Sequence, residues 1–117
     1  NSNLKNNYEE VRLWSYETEG FARTGLQFCG LMMGDHSKCG INTMFNTASV
    51  VGFAVNVFSD AFPPKHIHSF TWFIEKDESV FQLDKAIQAA KAMMERRHVE
   101  FTEADMKIFE TLHQSRP

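Results

Sequence analysis

From Leu31 to Phe62 the chain places an apolar residue at every sixth position: Met33, Cys39, Phe45, Val51 and Val57. The residue after each is Gly34, Gly40, Asn46, Gly52 and Phe58, so four of the five are Gly or Asn. Four positions beyond each apolar residue come Ser37, Thr43, Ser49, Val55 and Ala61, all small or β-branched. An amphipathic helix repeats about every 3.6 residues and a strand about every two, so a period of six belongs to neither. It suits a parallel β-helix whose coil has three flat faces and three turns. The apolar residue then enters the prism, and Gly or Asn takes the tight or left-handed corner beside it. Three hexads make a coil of 18 residues, which stacks Met33 with Val51 and Cys39 with Val57. The competing reading is an ordinary β-region with accidental spacing.

The flanks are less regular. Residues 1–16 hold Leu4, Val11, Leu13 and Trp14 among polar residues, and Val11 and Leu13 alternate with Arg12 as in a strand. Glu17 to Thr24 reads as a polar turn around Gly20. Carried backwards, the hexad frame reaches Gln27 and Phe21: Phe21 fits beneath Cys39, whereas Gln27 does not suit an apolar core and marks a break. Pro63 and Pro64 end the repeat, because proline cannot donate to a ladder and restricts its predecessor. Phe70, Trp72 and Ile74 alternate with Thr71 and Phe73 in an extended segment. A charged turn, Lys76 to Ser79, follows, in which Asp77 or Ser79 can cap a helix.

From Val80 to about Arg97 the period becomes helical, with Val80, Leu83, Ile87, Ala90 and Met94 on one stripe. Thr102 with Glu103 and Asp105 opens a second helix running to about His113, apolar at Met106, Ile108, Phe109 and Leu112. Such a helical hairpin can close the open end of a stack of coils. The reading is thus mainly β, with a β-helix domain over residues 1–75 and a helical C-terminal cap over 76–117.

The 117 residues make one domain or a piece of one. A net charge of −3 and the absence of a long basic run argue against nucleic acid as a partner. Nothing approaches the length of a membrane-spanning helix, and no signal-peptide pattern opens the chain. Cys29 and Cys39 stand in apolar surroundings and read as buried thiols of a cytoplasmic protein. The chain opens on Asn1 and not on Met, which suits a fragment of something longer.

GLMMGDHSKCGINTMFNT, then VVG, then FPPKHIHSFTW, resembles the C-terminal acyltransferase part of a bacterial family of sugar nucleotidyltransferase-like proteins. That family is similar to the bifunctional N-acetylglucosamine-1-phosphate uridyltransferase/glucosamine-1-phosphate acetyltransferase. The resemblance covers about residues 1–95. It implies a left-handed parallel β-helix of hexapeptide repeats and a homotrimer. It also implies acetyl-CoA as co-substrate in clefts between subunits, a sugar phosphate as acceptor, and no metal. The family's nucleotidyltransferase domain has no counterpart here. Its catalytic histidine precedes a Leu-Gly-Asp step. The similar stretch here, CGLMMGD, holds Cys29 at about that place and no histidine. ASVVG also replaces the usual GTVVG, and KHIHSF carries two histidines where an aromatic residue and a proline are common.

Acyl transfer to an amine needs a base and hydrogen-bond donors for the oxyanion. His36, just past Asp35, is the histidine left near the motif and the candidate base; the bland alternative is a corner residue bonded to backbone or water. Lys38 and Lys65 are candidates for the coenzyme phosphates. Asn42 and Asn46 are candidates for coenzyme contact, or else for a ladder of side-chain hydrogen bonds along the coil. Phe62 to Pro64 and Trp72 could wall the coenzyme. His98 and His113 read as solvated. His66 and His68, one residue apart, would share a face and could join His36 as zinc ligands, as in trimeric carbonic anhydrases of that fold. Three functions therefore compete: the sugar-phosphate N-acetyltransferase part, a non-catalytic trimerisation or regulatory module, and a zinc enzyme resembling carbonic anhydrase.

Overall fold

The hexad positions do pair in parallel, but over a short span. The computed structural model describes Ser2 and residues 7–117, so Leu4 of the opening segment lies outside it. Strands β3 (Met32–Met33), β5 (Val50–Val51) and β7 (His66–Ile67) form one parallel sheet in the order β3-β5-β7. Strands β4 (Lys38–Cys39), β6 (Asn56–Phe58) and β8 (Thr71–Ile74) form a second, which β9 (Asp77–Val80) extends antiparallel to β8. Met33 pairs with Val51 and Cys39 with Val57, 18 residues apart. The next step shortens to 16 residues, Val51 to Ile67 and Val57 to Phe73.

The expected left-handed parallel β-helix is corrected. The strands are two to four residues long and lie in separate small open sheets, mixed in direction, that neither close nor coil. Two regular steps are too few for a solenoid, which needs about three or more stacked repeats. The flanks also break the pattern with antiparallel pairs. Strand β1 (Arg12–Ser15) forms a hairpin with β2 (Gly20–Arg23), where a polar turn was expected. Phe21 is therefore not beneath Cys39. It is 46% exposed, with its ring against the edge of Trp14 and the Lys65 ammonium 5.5 Å above it. The charged turn expected at residues 76–79 is instead mostly β9, as Lys76 turns the chain back on β8.

The corners differ from expectation as well. Gly34 and Gly52 have ordinary φ; positive φ falls two residues later, at His36 and Ala54, and recurs at Asn42, Ala48 and Phe70. Left-handed backbone costs a non-glycine residue about 1–2 kcal/mol, so its recurrence at every sixth residue from 36 to 54 reflects the turn geometry. The glycines serve another purpose. A Cβ on Gly34 would stand 2.6 Å from the Gly52 carbonyl oxygen, and one on Gly52 would stand 2.5 Å from the Ser69 nitrogen. Backbone passes backbone there more closely than any side chain permits.

One core cluster holds Phe45, Val51, Val55, Val57, Ile67 and Phe73, each fully buried aliphatic or aromatic group contributing roughly 1.5–3 kcal/mol. Met33 and Cys39, expected inside, are exposed, because β3 and β4 end their sheets and no strand covers them among the described residues. Cys29 is half-buried, so neither thiol is the buried one expected.

The second cluster joins the helices to the stack. Helix α1 (Leu83–Glu95) starts three residues later than Val80, and Gln82 at its N-cap makes no side-chain capping bond. Helix α2 (Glu103–Gln114) begins as its sequence predicts: Thr102 and Asp105 form a reciprocal capping box. Ala86 and Ala90 of α1 and Phe109 of α2 pack with Ala54, Phe70 and Phe81. Ile108, expected on the inner stripe, is 49% exposed. Among the described residues no helix is long and apolar enough to cross a membrane.

Candidate functional site

Strand β6 places Asn56 beside Lys38 of β4 and Trp72 of β8, since these three residues are in register across the sheet. Helix α1 passes in front of them. The result is a cleft of about 460 Å³ lined by Lys38, Asn56, Trp72, Phe81, Lys85 and Ala89. Trp72 is held edge-on to Phe81, ring centroids 5.1 Å apart, and tilted against Phe58 at 6.3 Å. Asn56 is 7% exposed, and its Oδ1 is enclosed without a hydrogen-bond partner. An unpaired amide oxygen in such a place costs about 1–3 kcal/mol. The walls are apolar and aromatic and the rim carries two ammonium groups, which suits a ligand with a ring and an anionic portion.

The histidines fall in two separate places. His36 (φ 60°) lies against Phe53 and Phe109, ring centroids 5.4 and 5.1 Å away, with Nδ1 enclosed and without a partner. Burial holds its pKa below the ordinary value, against the pull of Asp35 and Asp105. It is neutral at pH 7, as a base must be, but it packs as part of the α2 interface.

His66 stacks on Trp14 at 4.0 Å and 9°, and its Nε2 is 3.3 Å from the Tyr16 hydroxyl. Burial, and secondarily His68 with its ring centroid 4.3 Å away, pushes its pKa down to about 4. So weak a base is a poor proton acceptor at pH 7. The set His36, His66 and His68 is not brought together: no group of three or more His, Cys, Asp or Glu able to hold a metal occurs among the described residues.

The remaining candidates scatter. Asn42 is exposed with φ 58°. Asn46 uses its Oδ1 to accept the Thr47 N–H at 2.9 Å, so the expected asparagine ladder is absent at that position. Threonines bridge instead, with Thr47 Oγ1 donating to the Cys29 carbonyl at 2.9 Å and Thr43 Oγ1 to the Gly40 carbonyl at 2.8 Å. Lys65 reaches the Arg12 carbonyl at 3.1 Å, on the hairpin side and away from the cleft's lining. His113, expected in solvent, is half-buried against the Phe70 ring at 4.9 Å. Of the expected coenzyme residues, only Lys38 lines the cleft, together with Trp72.

Sequence reading missed Asn56, Phe81 and Lys85. Asn56 left a trace: it is a polar residue flanked by Val55 and Val57. Comparison with known families, curated proteins and solved structures returns no match.

Proposed function

We propose that this chain binds a phosphorylated, ring-bearing ligand of the coenzyme A kind in the cleft between the β4-β6-β8 sheet and α1, as the coenzyme-binding part of an acyltransferase. The observation that carries the reading is the joining of Lys38, Lys85 and Trp72 in one cleft over the enclosed, unpartnered Asn56 Oδ1. An aromatic base can lie against the indole while the ammonium groups meet phosphate oxygens. In the transfer, the acceptor amine nitrogen bonds to the thioester carbonyl carbon and the C–S bond breaks. The proton lost by the amine ends on the departing sulfur. His36 is the neutral imidazole two residues from Lys38, but its ring is packed between Phe53 and Phe109. That packing favours a second reading, in which the chain binds the coenzyme without turning it over.

A thermal-shift titration with coenzyme A tests the first claim. Binding to the folded state raises the melting temperature with ligand concentration. Pantetheine, which lacks the nucleotide phosphates, should have little effect, and replacing Lys38 and Lys85 together by Ala should weaken binding about tenfold or more. A flat response to coenzyme A in the millimolar range sinks the reading. Thiol release from acetyl-CoA with glucosamine 1-phosphate then separates transferase from binder.

A further inference from the structure

The molecule holds a second cavity on different elements, and its charges ask for a different ligand. It measures about 380 Å³, within the roughly 300–1,000 Å³ of small-molecule sites. The β1–β2 hairpin supplies Trp14, Tyr16 and Glu19, the segment after β7 supplies His68, and the end of α2 supplies Leu112 and Arg116. It shares no lining residue with the cleft of Lys38 and Trp72.

Its walls are fixed before any ligand arrives. Trp14 is stacked on His66 at 4.0 Å and touched edge-on by His68 at 6.0 Å. The Arg116 guanidinium is anchored by its Nε, which donates to the Ser69 carbonyl at 3.0 Å. The terminal nitrogens of such a fork are suited to a carboxylate. On the hairpin, Glu19 occupies a left-handed position (φ 51°) that Gly or Asn would fill at less cost. Strain kept at a cavity wall is a pointer to function. Glu19 and Arg116 thus bring opposite charges to one cavity, yet they form no ion pair with each other. The Trp14 Nε1–H is enclosed as well and lacks a hydrogen-bond partner.

We propose that this cavity binds a free α-amino acid, with its carboxylate at Arg116, its ammonium at Glu19 and an apolar side chain against Trp14 and Leu112. A zwitterion satisfies both charges at once, which a simple anion or cation cannot. The span between the two groups selects for a ligand that carries both.

The protein carries two tryptophans, Trp14 in this cavity and Trp72 in the other cleft. In the Trp72→Phe variant of the full chain, fluorescence reports Trp14 alone. Titration with leucine should give a saturable change. N-acetyl-leucine, without the ammonium, and leucinamide, without the carboxylate, should each bind about tenfold more weakly, or about 1.4 kcal/mol. In Glu19→Gln the penalty for N-acetyl-leucine should vanish, and in Arg116→Gln the penalty for leucinamide should vanish. Arg116→Lys, which keeps the charge but not the fork, should fall between. Equal binding of the three ligands, or no saturable change with leucine, phenylalanine or methionine in the millimolar range, overturns the proposal. The ligand comparison needs no variant of Glu19 or Arg116, so a misfolded mutant cannot obscure it. Its failure leaves the coenzyme titration, read at another site, untouched.

Discussion

Met33 and Val51 occupy the same place in successive turns of the repeat, as do Cys39 and Val57, yet their surroundings differ sharply. The lower residues are exposed, Met33 by 38%, while Val51 and Val57 are 3% and 0% exposed. Both pairs have the same ladder partners and register. What separates them is cover: β7 and β8 lie beyond the upper turn, whereas β3 and β4 end their sheets. A sequence period decides where along the turn a side chain falls; burial depends on what is stacked against it.

Glycine substitutions should show this contrast most strongly. Gly52→Ala sets a methyl 2.5 Å from the Ser69 backbone nitrogen, where nothing flexible can give way. A loss of about 3 kcal/mol or more is expected. Gly40→Ala on the lower turn meets only the Phe58 ring at 3.3 Å, on an exposed residue that can move. Its cost should stay below about 1 kcal/mol. Urea unfolding of the two variants checks this, and equal midpoints would contradict it. Next in size come the inward side chains. Val57→Ala removes fully buried methyls and should cost about 2 kcal/mol, while Cys39→Ala should stay within about 0.5 kcal/mol.

Ser37 links the two turns. Its hydroxyl donates to the Gly52 carbonyl at 2.6 Å and accepts the Val55 N–H at 3.0 Å. Ser37→Ala leaves both backbone groups without that partner, and a cost of about 1–2 kcal/mol is expected. Ser37→Thr, which keeps the hydroxyl, should recover part of it; if Thr is no better than Ala, the bridge is not what joins the turns.

The sequence showed the ladder register from Met33 to Val57 because the spacing of six is carried by the residues themselves. The Thr102 cap was equally legible, since its partner Asp105 lies three residues away. Long-range facts were not. Nothing local shows that Gly20 to Arg23 folds back on β1, that β9 runs antiparallel to β8, or that the repeat lacks cover below Met33. The expected β-helix failed on those points. The candidate site divided along the same line. Lys38 and Trp72 were visible as residue types, but Lys85 reaches the cleft only because α1 crosses the sheet. Arg116 and Glu19, almost a hundred positions apart, meet only through the fold.

The smallest expected effect sharpens the comparison through pH. His66 sits in the layer beyond Val50, to which it pairs, and the lower turn has no histidine in that place. Its ordinary pKa of 6.5 falls to about 4 in the folded chain, from burial first and then the neighbouring His68. The unfolded chain therefore takes up a proton at a pH where the folded chain still resists it. The contribution of the neutral imidazole is complete above pH 6.5, declines as pH falls, and is lost on passing through about pH 4. Below that both states are protonated and the slope from this residue ends. Thermal melts between those limits should show a steeper decline for the unaltered chain than for His66→Gln, which cannot take up the proton. If the two profiles run parallel, His66 titrates with its ordinary value and the upper layer is open to solvent at that edge.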